Sequence, residues 1–359
     1  MHLATVFTSV VGFYPPNFRP QKLVMTCFSH IDSATKHQES NISTMRRYPV
    51  TIVIPAYNAS RYLSETVHSA YAAKPERIVI VNDGSTDDTL QVATLLSESM
   101  EYVEVFTQSN SGESAAINAG LAKNNSKYVL FLSADDLISE RLLAIATQAL
   151  DTNPELVGVY PSWNKIDSNG LATEEVTDIS FSYERLLGNL ECLPGPGSVI
   201  RASSLGVGRL EHLTQMGDFE QWIRITANGK LLHVNDVLAS WRQHDSNMSL
   251  MSFGQKNSIE LDVIRKQVEV TLEKVSLQNK NIVRDSFLAT WHKLKAISEV
   301  RVRGSHESAK HLLKSLSALS KNRDVKLKNG WTAIEVVSCL IPHLARAWIS
   351  VTFGFRKRK

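Results

Sequence analysis

The most constraining feature of this sequence is a regular alternation of short apolar runs with amphipathic segments, which begins at residue 50. Four runs have the composition of buried strands, at residues 50–54, 78–81, 102–106 and 128–132. The three segments between them have helical spacing, at residues 60–73, about 87–99 and 114–122. A repeat of about 25 residues predicts a mostly parallel α/β sheet with helices on both faces.

The charges of the chain are unevenly distributed, although its net charge is only +3. Residues 50–250 carry 13 Lys/Arg and 25 Asp/Glu, whereas residues 251–359 carry 21 and 9. We therefore predict a poorly ordered extension at residues 1–48, an α/β domain at residues 49–250, and a basic helical region at residues 251–359. A content of 43% hydrophobic residues excludes collagen-like, coiled-coil and wholly disordered chains.

The cysteines and the N-terminal residues bear on location. Cys27, Cys192 and Cys339 are too few and too scattered for a disulfide framework or a thiolate zinc site, so a reducing compartment is expected. The apolar run near the N-terminus has no basic residue before it, which argues against a secretory signal. Met45 is an alternative start of translation. These features predict a cytoplasmic protein.

Two adjacent acids, Asp135 and Asp136, follow the strand at residues 128–132. Unpaired carboxylates are expensive to bury, which favours a bound cation. Mg²⁺ and Mn²⁺ commonly bind one or two carboxylates together with the phosphates of a substrate. The alternative is an ordinary turn in which Asp136 caps the next helix.

A second polar cluster, residues 82–88, follows the strand at residues 78–81. Its Asp83 can accept hydrogen bonds from a ribose or a base at the ligand-binding edge of such a sheet. A helix-capping turn is the alternative. Because neither a G-x-G-x-x-G motif nor a P-loop is present, a dinucleotide fold and a P-loop site are not supported.

Four ordered segments together resemble family 2 glycosyltransferases: residues 50–58, 81–89, 112–121 and 128–136. The resemblance covers roughly residues 49–250 and is specific because the segments keep the family's order and spacing. It implies a GT-A fold, a Rossmann-like α/β architecture, here with a C-terminal helical extension. It also implies a nucleotide-diphosphate sugar donor, a UDP-sugar above all, and Mg²⁺ or Mn²⁺.

The resemblance assigns the nucleotide pocket by position. Ala56, Tyr57 and Asp83 would line the nucleoside, with Asp83 on the base. Asn118 lies in the segment that helps to close this pocket.

The same resemblance assigns the metal site. Asp135 matches the last acid of the family's D-x-D motif and would bind the metal, with Asp136 beside it. Ser133 replaces the first acid of that motif. A serine hydroxyl can bind the ribose but lacks the negative charge, which predicts weaker metal binding.

Residues 217–224 resemble the family segment that carries the catalytic base. Asp218 falls at the base position, where a carboxylate at a helix start can accept the proton of the acceptor hydroxyl. Glu220, two residues away, is a second candidate for the base. The alternative for Asp218 is a purely structural role as the cap of the helix. Trp222 is expected in the core and Arg224 in a structural ion pair.

Residues 241–244 resemble the R-x-H segment that follows the base helix in this family. Arg242 is predicted to pair with a diphosphate and His244 to bind the metal or a phosphate, with a surface role as the alternative for His244. Residues 194–198 are predicted to form a loop near the acceptor, or otherwise a simple turn.

The implied reaction is an inverting sugar transfer in bacterial cell-surface polysaccharide or glycolipid assembly, with a glycan or lipid-linked acceptor. A sugar-phosphate nucleotidyltransferase is one alternative, but it would carry a Gly-rich basic loop where this chain has residues 55–58. A non-catalytic sugar-nucleotide binding protein is the other, and Ser133 gives it some weight.

The basic region at the C-terminus indicates a membrane surface rather than nucleic acid. Residues 331–353 have the spacing of an amphipathic helix, and residues 356–359 are Arg-Lys-Arg-Lys. Such a helix would lie peripherally on anionic lipid at the inner face of the cell membrane; packing on the protein's own body is the alternative. No nucleic-acid-binding module is recognised, so nucleic acid is not an expected partner.

Overall fold

The computed structural model describes residues 47–177, 179–244 and 255–302. The predicted extension, the residues just after His244 and the predicted membrane-surface helix at residues 331–353 lie outside the described residues, apart from the last two residues of that extension. The helices are α1 (Leu63–Ala72), α2 (Thr89–Ser99), α3 (Glu113–Leu121), α4 (Leu142–Thr152), α5 (Gly217–Ile225), α6 (Gln255–Lys274) and α7 (Lys280–Val302). Among the described residues, no helix has both the length and the apolar content needed to cross a membrane.

In the described part of the chain, nine strands form one mixed sheet. They are β1 (Tyr48–Ala56), β2 (Pro75–Asp83), β3 (Val103–Gln108), β4 (Tyr128–Phe131), β5 (Leu137–Ile138), β6 (Leu156–Ile166), β7 (Ala172–Val176), β8 (Val199–Arg201) and β9 (Lys230–Arg242). Their order is β3-β2-β1-β4-β8-β6-β9-β5, and β7 pairs with β6. The first four strands are parallel, β8 runs antiparallel to β4 and β6, and β9 is parallel to β6. The predicted α/β class is confirmed.

The sheet is buried on both faces. Successive side chains of a strand point to opposite sides of the sheet, so neighbouring residues enter different cores. Ile52 of β1 packs in one apolar core together with residues of α1 and α4. The next residue, Val53, packs in a second core with α5, α6 and α7. The prediction of helices on both faces is therefore confirmed.

The helices α6 and α7 continue the core of the sheet domain. The apolar stripe that predicts α6, Leu261, Ile264, Val268 and Leu272, is fully buried against residues of α5. In α7, Phe287 and Trp291 join the same core. The second core thus includes residues well beyond residue 250, where the sequence pattern places a domain boundary.

Two element boundaries differ from the sequence prediction in informative ways. Tyr102 has a left-handed backbone (φ +53°), so β3 begins one residue later, at Val103. The sequence pattern places a helix near residues 219–227, whereas α5 begins at Gly217, which places Asp218 in its first turn.

Candidate active site

The loops that follow β1 and β2 are joined by side-chain hydrogen bonds to backbone. Asn58, in a left-handed conformation (φ +49°), accepts a hydrogen bond from the backbone N–H of Thr86 at 2.8 Å. The carboxylate of Asp87 accepts the N–H groups of Ser60 at 3.2 Å and of Thr89 at 3.0 Å. These bonds hold the carboxyl ends of the two strands together, at the edge where parallel sheets bind ligands. Beside them, Ala56 is buried and Tyr57 is 51% exposed.

Asp83, the last residue of β2, anchors the loop between β3 and α3. Its Oδ1 accepts hydrogen bonds from Gln108 Nε2 (2.8 Å) and Ser111 N (2.9 Å), and its Oδ2 accepts one from Gly112 N (2.8 Å). The side chain is 3% exposed. The structure therefore gives Asp83 a loop-holding role that the sequence does not indicate, while its contact with a base stays a prediction.

The turn after β4 meets the end of β9. Asp135 Oδ2 lies 2.8 Å from His244 Nε2, and both side chains are partly exposed, 22% for Asp135 and 15% for His244. The His244 ring stacks on Tyr62, with centroids 5.1 Å apart. Ser133 is exposed at the same turn, where its carbonyl accepts the N–H of Asp136. The fold thus brings together Ser133, Asp135 and His244, as the sequence predicts.

Asp136 points into the protein, away from this pair. It is 4% exposed, and its Oδ1 accepts the backbone N–H of Arg242 at 3.0 Å. Desolvation, and then the charge of Asp135, raises the pKa of Asp136 well above its usual range. The expectation that Asp136 is a metal ligand beside Asp135 therefore needs correction, because its carboxyl group is enclosed by protein.

Arg242 supports the acidic turn from inside. Its side chain is 1% exposed and donates to Glu65 Oε2 at 2.7 Å and to the backbone carbonyl of Asp135 at 2.9 Å. A third bond reaches the carbonyl of Asp167. This differs from the predicted contact with a diphosphate, because burial removes the guanidinium from the surface and acceptors of the protein itself bind it.

The donor set at Asp135 and His244 fits Mg²⁺ or Mn²⁺. A carboxylate oxygen is a hard ligand suited to both ions, and an imidazole nitrogen is accepted by Mn²⁺. Among the described residues, no group of three His, Cys, Asp or Glu side chains is arranged to hold a metal ion. The protein would then supply two ligands, and the phosphates of a substrate and water the others.

Asp218 and Glu220 differ in accessibility, although both lie in the first turn of α5. Asp218 is partly exposed, and its Oδ1 accepts the N–H of Phe219 at 2.7 Å. Glu220 is 1% exposed and forms an ion pair with Arg224 at 2.9 Å. This confirms the predicted ion pair of Arg224, and Trp222 is buried in the core as predicted. Of the two rivals, only Asp218 is positioned to meet a substrate.

The segment that leads into α5 is tied to α3 through Asn118. The side-chain oxygen of Asn118 accepts a hydrogen bond from the backbone N–H of Arg209 (2.8 Å), and its side-chain nitrogen donates one to the backbone carbonyl of Arg209 (2.9 Å). Arg209 also pairs with Glu113 at 3.0 Å, and Ser114 donates to the carbonyl of Leu213. Asn118 therefore holds residues 208–211 in place, and its predicted part in closing a nucleotide pocket would act through that loop.

The loop at residues 194–198 lies on Trp163. A Cβ atom on Gly195 would come within 2.4 Å of the indole nitrogen of Trp163, so only glycine fits there. The position of this loop near the acceptor stays a prediction.

Several contributors are not among the predicted site residues. Glu65, Asn58 and Asp87 act through contacts that sequence spacing does not reveal. Glu260 of α6 binds the segment before α5, and a signal for it exists: it lies four residues before Ile264, on the buried stripe.

Comparisons with known proteins bear on the family and on the fold of this chain. The sequence profile described as Glycosyl transferase family 2 matches residues 51–205. A chondroitin synthase from Escherichia coli is 24% identical over 264 residues, which are 72% of this chain and 38% of that protein. A hyaluronan synthase from Pasteurella multocida is 27% identical over 216 residues, 59% of this chain and 22% of that protein. The chain thus spans well under half the length of these relatives.

Among solved structures, residues 1–349 of S. aureus TarS in complex with UDP-GlcNAc have the same fold. The TM-score is 0.59 at 17% sequence identity, over 86% of this chain and 91% of that one. At this identity the likeness concerns the fold alone. It confirms the GT-A architecture predicted from the four segments.

Proposed function

We propose that this chain, whose residues 51–205 match glycosyl transferase family 2, transfers a sugar from a nucleotide-diphosphate donor to an acceptor hydroxyl with inversion at the anomeric carbon. One observation carries the proposal. At the carboxyl edge of the sheet, Asp135 and His244, 109 residues apart in the chain, meet at 2.8 Å. The family match makes a nucleotidyltransferase or a non-catalytic binding protein the less favoured alternatives.

The donor would lie across the ends of β1, β2 and β4. Ala56, Tyr57 and Asp83 would line the nucleoside, and Ser133 would bind the ribose; the exposure of Tyr57 and Ser133 supports this. A UDP-sugar is the proposed donor, and TarS, which shares the fold, is known in complexes with UDP-GlcNAc and with UDP. Asp135 and His244 would hold Mg²⁺ or Mn²⁺, whose charge would stabilise the departing diphosphate.

Asp218 would act as the base. Its carboxylate would accept the proton of the acceptor hydroxyl while the hydroxyl oxygen forms a bond to the anomeric carbon. The bond between that carbon and the diphosphate oxygen breaks, and the nucleoside diphosphate leaves with the electron pair. The protein's part is to hold the two substrates in line.

We place this reaction in the assembly of a bacterial surface polysaccharide or glycolipid. The named relatives, a chondroitin synthase and a hyaluronan synthase, make glycans, which supports a glycan or lipid-linked acceptor. The proposed location is the cytoplasm, at the inner face of the cell membrane.

The test is Asp218→Asn, assayed for sugar transfer and for UDP binding by calorimetry. We expect kcat to fall by about 100-fold or more, the usual size of a general-base contribution. Binding of UDP should stay within about twofold, because the amide keeps the size of the side chain. Asp236→Asn is the matched control, since Asp236 forms an exposed ion pair with Arg141. Normal turnover in Asp218→Asn would refute the assignment.

A further inference from the structure

Glu260 is a buried carboxylate on the face of α6 that packs against α5. It is 3% exposed and accepts four hydrogen bonds. Two come from Thr214, from N and Oγ1, both at 2.9 Å. The others come from the backbone N–H groups of Gln215 at 3.2 Å and Met216 at 2.9 Å. One side chain thus binds three consecutive backbone N–H groups.

These N–H groups belong to the turn that leads directly into α5. Met216 is the residue before the helix and forms no side-chain cap of its own, and Asp218 is the second residue of the helix. The carboxylate of Glu260 therefore determines where the first turn of α5 begins. It binds this turn from α6, while Ser114 binds the carbonyl of Leu213 from α3.

An ionised carboxylate suits this task better than a neutral side chain. Bonds from N–H groups to a charged oxygen are roughly twice as strong as neutral ones. A negative charge near the start of a helix also interacts favourably with the helix dipole. Helix α6, which carries Glu260, is itself fixed in the core by Leu261 and Ile264, both of which are fully buried.

We propose that Glu260 is a positioning residue for the catalytic base: it holds the start of α5 so that Asp218 meets the acceptor hydroxyl. The inference rests on the role proposed above for Asp218. Helix α6, which lies beyond the family-matched segment ending at residue 205, would thus contribute to the reaction through Asp218. The residue itself touches no substrate.

The test is Glu260→Gln in the full chain, with kcat and KM measured separately. The amide keeps the length of the side chain but replaces one acceptor oxygen by a donor, which opposes the N–H groups of the turn. We expect kcat to fall by about 10- to 100-fold, since a displacement of about 1 Å at a reacting group can cost that much. The donor KM should stay within about twofold, because the ends of β1, β2 and β4 are unchanged.

Two control variants separate positioning from general destabilisation. Glu269→Gln makes the same change on the same helix, where the side chain pairs with Arg284 at 3.1 Å. Thr271→Val removes a bond from α6 to α5 itself, to the carbonyl of Ile223 at 3.1 Å, at the far end of α5 from Asp218. Both should keep kcat within about threefold of the wild type, even where Thr271→Val lowers Tm as much as Glu260→Gln does. Glu260→Asp, which keeps the charge, should recover part of the lost kcat.

The outcomes are distinct. Normal kcat in Glu260→Gln, or an equal loss in Thr271→Val at the same Tm, would overturn the inference while leaving Asp218 as the base. Normal kcat in Asp218→Asn would instead refute Asp218 as the base, whatever Glu260→Gln does, and an absence of sugar transfer by the wild type would overturn the proposed function. If Glu260→Gln does not fold, the same comparison is made with Glu260→Asp, and a kcat equal to that of the wild type then counts against the inference.

Discussion

Two adjacent acids at the end of β4 have carboxylates in opposite surroundings. Asp135 is partly exposed and contacts His244, whereas Asp136 is enclosed and accepts a backbone N–H. In the second pair of acids, Asp218 and Glu220, only the first is accessible. At the scale of single residues, burial therefore separates, within each of these two pairs, the accessible acid from the one that stabilises the fold.

The buried carboxyl group of Asp136 predicts a pH-dependent loss of stability. Its pKa is raised in the folded protein, so its ionisation favours unfolding. We expect the free energy of unfolding to fall as pH rises from about 4, the pKa of an unfolded Asp, through the raised folded value. Asp136→Asn should lack this fall and have a higher Tm at pH 7, because the amide still accepts the N–H of Arg242 without burying a charge.

Thermal unfolding at several pH values, with a metal chelator present, measures this effect. Asp151→Asn is a control with the opposite sign, since hydrogen bonds from Lys127 and then Tyr128 lower the pKa of Asp151. A lower Tm for Asp136→Asn at neutral pH, with the pH dependence of the wild type, would contradict the prediction.

At the scale of elements, the binding edge depends on loops that are tied to one another. Gly84, directly after β2, has a left-handed backbone (φ +68°), and a Cβ atom there would lie 2.7 Å from the backbone nitrogen of Asn110. The loops after β2 and β3 therefore approach as closely as glycine allows. Asp83 fastens the same two loops by its three hydrogen bonds.

Gly84→Ala should separate these loops. We expect a loss of stability of at least about 1–2 kcal/mol from the left-handed backbone alone, with a further cost from the contact with Asn110. The donor KM should rise several-fold, because Asp83 and Tyr57 shift. Gly206→Ala is the control: its φ is +61°, but the nearest atom to a new Cβ is 3.7 Å away. Equal effects of the two substitutions on Tm and KM would argue against a close approach of the loops.

At the scale of the whole molecule, the C-terminal region has two parts with different expected roles. Helices α6 and α7 share the second apolar core with α5, so they belong to the sheet domain. The residues after 302 carry the predicted membrane-surface helix and lie outside the described part of the chain. Part of the basic charge of the region therefore lies in a packed helix pair, and the predicted role of the rest at a membrane surface stays a prediction.

Removing residues 331–359 should release the protein from anionic membranes. Sedimentation with vesicles that contain phosphatidylglycerol measures this, and the bound fraction of the full chain should fall with added salt, because the attraction is electrostatic. Neutral phosphatidylcholine vesicles are the control and should bind both chains weakly. Equal sedimentation of the full and shortened chains with anionic vesicles would contradict the prediction.

The sequence by itself determined the α/β class, the order of the first strands and helices, and the position of the polar loops at the strand ends. These features depend on local apolar periodicity and on short motifs, so they can be read without knowing any long-range contact. Local reasoning also identified Asp135, whereas His244 and Asp218 became candidates through the resemblance to family 2 glycosyltransferases. It could not choose between Asp218 and Glu220.

Only the tertiary structure decided which of these groups are accessible and what holds them. The ion pair between Arg242 and Glu65 joins residues 177 positions apart, and Glu260 binds a turn 44 to 46 residues before it. No local pattern encodes such contacts, because they arise when distant elements pack against one another. Burial of a charged group is likewise a property of the packed molecule, which is why Asp136 and Arg242 look like ligands in the sequence and prove to be internal supports in the fold.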